Sequence, residues 1–295
     1  MNDYRKGIDV SEHNGVIDWA KVRAAGIDFA IIRSGYGVSH KDTRFDDNIA
    51  GALANGIGVG IYHFSYALSE AGAEAEADFC ASILAPWHSR IHLPVFFDLE
   101  YDSVDYAARQ GVTIDRDAFN RFANTFLDRI LQRGYDPGIY FNLDYLARYC
   151  DLDALDPCEQ WLASWNAGTD WSGYDLWQAG QETVDGISGP VDVNYTSDAW
   201  YRYFMYVAEP MDDLLAGPTE TEKEELTMKI WTNGSTREPV YADTARRTRV
   251  GSLNPWESCD CLGMVEDMYL VRYEVDGTAA QKVGLVDYAG GTVWQ

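Results

Sequence analysis

The chain has 295 residues, beyond the usual single domain of roughly 100 to 200, so one large barrel with a small appendage fits its length. Hydrophobic residues make up 46% and charged residues 24%, which allows a sizeable core and lacks the bias that marks disorder. A formal net charge of -24 repels phosphate backbones and anionic bilayers, so neither nucleic acid nor a membrane surface is an expected partner.

The first residues, MNDYRKGIDV, contain no apolar signal core, and no stretch approaches the roughly 20 apolar residues that span a bilayer. Export by a cleaved signal is therefore not expected from these residues. From Gly7 onward, short β-rich runs alternate with helical periodicity. The runs are Gly7 to His13, Phe29 to Gly35, Gly58 to Ser65, Leu93 to Glu100 and Gly138 to Asn142. The spacing predicts a helix from Ile114 to Arg133, where Phe119, Phe122, Phe126, Leu127, Ile130 and Leu131 recur at three- and four-residue steps and Gly134 supplies the stop. Strands alternating with such helices indicate βαβ units and a parallel sheet.

After Asn142 a short helix, Leu143 to Cys150, precedes three further strands at Gln160 to Trp165, Tyr174 to Gln178 and Val191 to Tyr195. The last connections are too short and Gly-rich for good crossover helices. The expected fold class is α/β: a flattened, irregular TIM-like barrel of eight strands with few helices in its last third. It should occupy residues 1–207. An acidic segment with Pro and Gly at 208–225 reads as a solvated linker. Residues 226–295 show short β runs broken by turns, including one at Gly251-Ser252-Leu253, and read as a small all-β barrel. That region carries 7 basic and 9 acidic residues, so the acidity belongs to the first part.

Five cysteines without framework spacing predict no disulfide network, and Cys259 with Cys261 lacks the second pair that a zinc site needs. No metal or cofactor is expected. Gly56 to Gly60 is glycine-rich, but it follows a helix and enters a strand, the reverse of a nucleotide loop. Asn194-Tyr195-Thr196 and Asn233-Gly234-Ser235 fit the glycosylation pattern, as chance triplets do.

The chemistry concentrates in Leu93-Pro-Val-Phe-Phe-Asp98-Leu-Glu100, an apolar strand that ends in two acids. Residues i and i+2 of a strand share a face, with Cα atoms roughly 6.6 Å apart, so both carboxylates can converge on one substrate. Such a pair suits glycoside hydrolysis, in which one carboxyl donates a proton while the other stays charged. An Asp-x-Glu alone is weak, because acids often mark strand ends. The same ends of other strands, however, carry Asp9, Tyr62, His63, Asn142, Trp165, Asn166, Gln178 and Asp192. His63 reads as hydrogen-bonded packing, and Arg33 as either a buried partner for an acid or a ligand for substrate.

Taken together, GIDVSEHNG, FAIIRSGYG, GIYHFSYA, FFDLE, WLASW, LWQAG and GPVDVNY resemble glycoside hydrolase family 25, the Chalaropsis-type muramidases, over about residues 5 to 200. The resemblance implies a retaining lysozyme that cuts the β-1,4 bond between N-acetylmuramic acid and N-acetylglucosamine. It also implies Glu100 as general acid and then base, and Asp98 as helper of the substrate's own 2-acetamido group. Asp9 and Asp192 would tune the acids and hold substrate, with Tyr62, Arg33, Asn142, Trp165 and Gln178 as substrate ligands. Glu238-Pro-Val-Tyr-Ala, Tyr269-Leu-Val-Arg-Tyr and Lys282-Val-Gly-Leu-Val resemble a bacterial SH3-type wall-binding domain. The implied partner is bacterial peptidoglycan, with no obligate protein partner; without a signal core, the protein is expected in the cytoplasm until phage-mediated release, or to be secreted by another route. A non-catalytic wall-binding protein and a chitinase-like glycosidase are the alternatives; the four acids argue against the first, and the contexts of Asp9 and Asp192 against the second.

Overall fold

The computed structural model describes residues 4–165, 173–208, 229–233, 238–241, 249–253, 258–265, 268–274, 281–287 and 291–294. Asn166 and all of the expected linker except Ala208 lie outside them. The chain divides into two compact units, Met1–Tyr201 and Arg202–Gln295.

In the first unit the elements run β1 (Tyr4–Val10), α1 (Trp19–Ala24), β2 (Phe29–Tyr36), β3 (His40–Lys41), α2 (Phe45–Ala54), β4 (Gly58–Phe64), α3 (Glu70–Leu84) and β5 (Val95–Asp98). They continue with α4 (Tyr101–Arg109), α5 (Arg116–Gln132), β6 (Pro137–Asn142), α6 (Leu143–Arg148), β7 (Glu159–Ala163), β8 (Leu176–Thr183), β9 (Pro190–Ser197) and the start of α7 (Asp198–Ala208), whose residues from Arg202 belong to the second unit. All eight expected strands are present. They close in the order β1, β2, β4, β5, β6, β7, β8, β9 and back to β1, with the short β3 paired outside β2. The predicted helix at Ile114 to Arg133 is α5; Asp115 caps it by accepting from the Ala118 N–H at 2.9 Å, and Gly134 at φ 84° ends it.

One expectation needs correction. The barrel is mixed rather than parallel, because β9 runs antiparallel to both β8 and β1. Only residues 184–189 join β8 to β9, and so short a connection can turn back as a hairpin but cannot cross over to a parallel strand. Gly186 (φ 99°) seats that hairpin: a Cβ there would lie 2.5 Å from the Asp18 carbonyl oxygen, and the Asp18 N–H donates to the Gly186 carbonyl at 2.9 Å. Helix α7 and the β3 hairpin were not legible as elements in the sequence.

Period-2 alternation splits every strand between two environments. Val95 and Phe97 of β5 face the helices, where Phe97 meets Phe126 of α5 at 5.0 Å between ring centroids. Phe96 has the opposite parity and turns into the lumen. There Tyr62, Phe96 and Tyr140 surround Trp161 at 6.2, 5.2 and 4.7 Å. Small residues make room for the rings: a Cβ on Gly138 would come within 2.4 Å of Phe96. Outside the barrel, Arg129 and Arg133 of α5 both bind Asp78 of α3, at 2.6 and 2.7 Å.

The second unit contains β10 (Lys229–Asn233), β11 (Glu238–Tyr241), β12 (Arg249–Leu253), β13 (Ser258–Val265), β14 (Met268–Glu274), β15 (Gln281–Asp287) and β16 (Gly291–Trp294). They form one antiparallel sheet in the order β12-β11-β15-β14-β13-β10-β16. The all-β expectation stands here, but Gly251-Ser252-Leu253 belongs to β12 instead of a turn, paired with β11. Val240, Cys259, Val271 and Val286 are its described buried side chains.

Phe126 is fully buried and touches both Phe97 and His63. Phe126→Ala is expected to cost about 3–5 kcal/mol by leaving a cavity between α5 and the sheet. Chemical denaturation of the barrel checks this; a loss below about 1 kcal/mol would contradict the packing.

Candidate active site

The parity that sends Phe96 into the lumen also sends Asp98 there, one step nearer the strand's C-terminal end. Asp98 closes β5, and Glu100 follows as the N-cap of α4 in extended backbone (φ -120°, ψ -168°), its N–H donating to Ser103 Oγ at 3.2 Å. The two acids therefore keep strand-like spacing although only the first is in the strand. Asp9 occupies the corresponding end of β1. Asp192 lies near the start of β9, and because β9 is antiparallel its start is at the same mouth. Asp9 and Asp192 are direct partners across the β1–β9 ladder. Like charges directly opposite each other destabilise a sheet, so packing alone gives no reason for this pair.

These groups border a cavity of about 520 Å³, within the range of ligand sites. Of the sequence candidates, Asp9, Arg33, Tyr62, Asp98, Glu100, Trp165, Gln178 and Asp192 line it. Asn142 does not; its Oδ1 caps α6 by accepting from the Tyr145 N–H at 2.9 Å. Arg33 is an ion-pair partner as well as a wall residue, binding Asp42 and Glu12 at 2.9 Å each. His63 faces the other side of β4, fully buried, with Nδ1 accepting from Ser34 Oγ at 2.8 Å and Nε2–H donating to the Gly37 carbonyl at 2.9 Å. Burial pushes its pKa down to about 4, so it remains a neutral packing residue.

A relay of hydrogen bonds crosses the lumen behind the acids. The Trp161 indole donates to Asn194 Oδ1 at 2.8 Å, and the Asn194 amide donates to Asp9 Oδ2 at 2.8 Å. The Gln178 amide donates to the same oxygen at 3.0 Å, while its own Oε1 accepts from Tyr140 at 3.1 Å and from Trp165 at 3.2 Å. Sequence reasoning missed Asn194, Tyr140 and Trp161. Period-2 spacing from Asp192 and Asn142 was the available signal for the first two, and the fully buried Asn194 had instead stood out as a glycosylation triplet.

The four acids shift one another's proton affinity. Burial, then the neighbouring Asp192, raises Asp9 to about 7, against the hydrogen bonds from Asn194 and Gln178. Burial, then Asp102 and Asp192, raises Glu100 to about 7. Burial, Glu100 and Asp9 hold Asp98 well above the usual carboxylate range, and burial raises Asp192. Asp98 Oδ1 and Asp192 Oδ1 are buried with no hydrogen-bond partner, which leaves two acceptors at the cavity wall. Among the described residues, no three His, Cys, Asp or Glu side chains are arranged to hold a metal ion. The arrangement can therefore keep one carboxyl protonated near neutrality beside others that accept hydrogen bonds, which is acid–base chemistry on a neutral polar substrate.

A carboxyl whose pKa rises on folding binds more protons in the native state. Its stabilisation is complete below about pH 4 and is lost as the pH climbs through about 7. The Tm should accordingly fall between about pH 5 and pH 8. Glu100→Gln removes a buried charge that forms above about pH 7 and should raise the Tm at about pH 8 by a few degrees. A scanning-calorimetry result showing a folded variant no more stable there would contradict the upward shift.

Known proteins share this fold. The sequence is 32% identical over 202 residues to Lysozyme M1 of Streptomyces globisporus, covering 64% of this chain and 66% of that protein. The structure is similar to that of the modular autolysin LytC from Streptococcus pneumoniae in complex with a synthetic peptidoglycan ligand, with a TM-score of 0.58, 27% identity, and coverage of 66% of this chain and 47% of LytC. It is also similar to the bacterial lysozyme of Streptomyces coelicolor, with a TM-score of 0.51 and 28% identity over 64% of this chain and 90% of that one. The chain thus spans just under two thirds of Lysozyme M1 and about half of LytC. Residues 8–187, which carry every acid of the site except Asp192, match the family described as Glycosyl hydrolases family 25, and the chain belongs to that family.

Proposed function

We propose that the protein is a peptidoglycan hydrolase, a retaining N-acetylmuramidase that cuts the β-1,4 bond between N-acetylmuramic acid and N-acetylglucosamine. The observation that carries this reading is the cluster of Asp9, Asp98, Glu100 and Asp192 around one cavity, in a chain of a family whose named relatives include lysozymes.

Glu100, held near pH 7 in its proton affinity, donates its proton to the glycosidic oxygen as the bond to the anomeric carbon breaks. The substrate's acetamido oxygen attacks that carbon, and Asp98 accepts the acetamido N–H through its free oxygen. Forming that hydrogen bond favours the charged carboxylate and offsets the burial that otherwise raises Asp98. Glu100, now a carboxylate, takes a proton from water as the water opens the cyclic intermediate. Two inversions at the anomeric carbon give net retention. Asp9, Asp192, Tyr62, Gln178, Trp165 and Arg33 shape the wall that holds the sugar, while Asp192 helps keep Glu100 proton-rich and Asp9 does the same for Asp98. The site of action is the bacterial cell wall.

Glu100→Gln keeps the size of the side chain but has no proton to give, so wall lysis should fall at least about a hundredfold with the fold intact. For the unmodified protein, mass spectrometry of digested walls should show muramic acid at the new reducing ends. Near-normal lysis by the variant would remove Glu100 from its role, and N-acetylglucosamine at the new reducing ends would replace the muramidase reading with another glycosidase.

The strands of the second unit support a wall-binding role of SH3 type, with the tail tethering the barrel to an insoluble polymer. Tethering raises local concentration without changing the chemical step. Truncation after Ala208 should spare turnover of short soluble glycan fragments and weaken binding to intact walls, with circular dichroism confirming a folded barrel. Loss of soluble-fragment turnover in that folded barrel would refute the division of labour.

A further inference from the structure

Six large apolar side chains stand out as exposed among the described residues, and five of them follow β-strands at the cavity end of the barrel. Tyr101 (48% exposed), Leu143 (51%) and Trp165 (59%) follow the neighbouring strands β5, β6 and β7. Trp165 already lines the cavity, and Tyr101 directly follows Glu100. The three stand at the ends of successive strands, from the cavity wall at Trp165 to the residue after the proton donor, and so offer an apolar ledge at this rim.

Tyr101 is exposed yet fixed. Its hydroxyl donates to Asp144 Oδ2 at 3.0 Å, and Asp144 in turn binds Arg148 at 2.9 Å. Its ring stands edge-to-face on the buried Tyr145 at 5.1 Å and 83°. Burial and then the charge of Glu100 push the Tyr145 phenol up, so the acid lies within electrostatic reach of this platform. A surface aromatic ring held by both its hydroxyl and its edge loses little freedom when a ligand lies on its face.

We propose that Tyr101 and Leu143 form the seat for the leaving-group sugar, the N-acetylhexosamine whose C4 oxygen receives the proton from Glu100. The inference rests on the hydrolase reading above. The departing oxygen must come within roughly 2.6–3.2 Å of Glu100. The sugar on the other side of the bond occupies the cavity among Asp98, Asp9 and Asp192. The departing ring therefore extends away from those acids, across the residues beyond Glu100. An N-acetylhexosamine is neutral, with an apolar ring face and an acetyl methyl, and it suits an apolar ledge on a strongly acidic barrel.

The test compares two substrates: soluble wall-derived glycan oligomers, and the 4-nitrophenyl β-glycoside of the N-acetylglucosaminyl-N-acetylmuramic acid disaccharide, which has no departing sugar. For Tyr101→Ala and Leu143→Ala, kcat/KM on the oligomers should fall about tenfold further than on the aryl glycoside, while Tyr101→Phe, which keeps the ring, stays close to the unmodified protein. Equal losses on both substrates would show that the residues act through Glu100 or the fold, and no loss on the oligomers would show that no sugar sits there; either overturns the proposal. If the unmodified protein cleaves neither substrate, the hydrolase reading itself has failed. A calorimetric titration of oligomers into Glu100→Gln, with and without Tyr101→Ala, needs no turnover, and an unchanged Kd there also overturns the seat.

Discussion

Four carboxyl groups that repel one another are held together at the end of a barrel, and much of the surrounding structure answers that repulsion. Asp9 is the pivot. It faces Asp192 directly across the β1–β9 ladder and survives there because one of its oxygens receives two amide N–H groups, from Asn194 and Gln178. Those amides are themselves fixed by Trp161, Tyr140 and Trp165. Each member is a donor or acceptor already satisfied on its far side, so the relay can sit in the barrel interior without leaving a costly unpaired group. Burial and repulsion that the hydrogen bonds do not offset are relieved by protons, which is why Asp9 and Glu100 are both pushed up to about 7.

The lumen wall is rigid for a related reason. Large rings and absent side chains are matched, Phe96 against Gly138 and Phe29 against Gly7, so the strands close tightly around Trp161. On the rim, Arg33 is neutralised by Glu12 and Asp42, and Glu12 also accepts from Thr43 and His40. This ties the loop after β1 to the β3 hairpin and fixes the wall formed by Ser11, His13 and Asn14. In the proposed reaction such a wall binds a sugar without having to be ordered first.

Much of this was legible in the sequence because strand parity and residue chemistry agree. The apolar run before Asp98 specified a buried strand, the stepped phenylalanines of α5 specified its covering helix, and polar residues at strand ends marked the mouth. Asp192 was placed correctly although the direction of its strand was not, since a residue at the start of a reversed strand and one at the end of a forward strand reach the same rim. What stayed hidden depended on contacts across the lumen. Asn194 matters because Trp161, two strands away, reaches it through the barrel interior, and no local pattern encodes that. Asn142 misled for the opposite reason: a strand-end amide serves equally as a helix cap, and here the local bond to the Tyr145 N–H holds it.

Barrel closure pairs Tyr4 with Ser197, the first described residue with the last of β9. Asp9 meets Asp192 only when that seam zips, so the acid group is assembled by a contact nearly as long in sequence as the barrel itself. Contacts of such separation form late, after the local βα units are in place. A nascent chain still short of Ser197 on the ribosome thus carries Asp98 and Glu100 but neither the Asp9–Asp192 pair nor a closed lumen behind it. In this topology, the emergence of β9 is itself the step that arms the site.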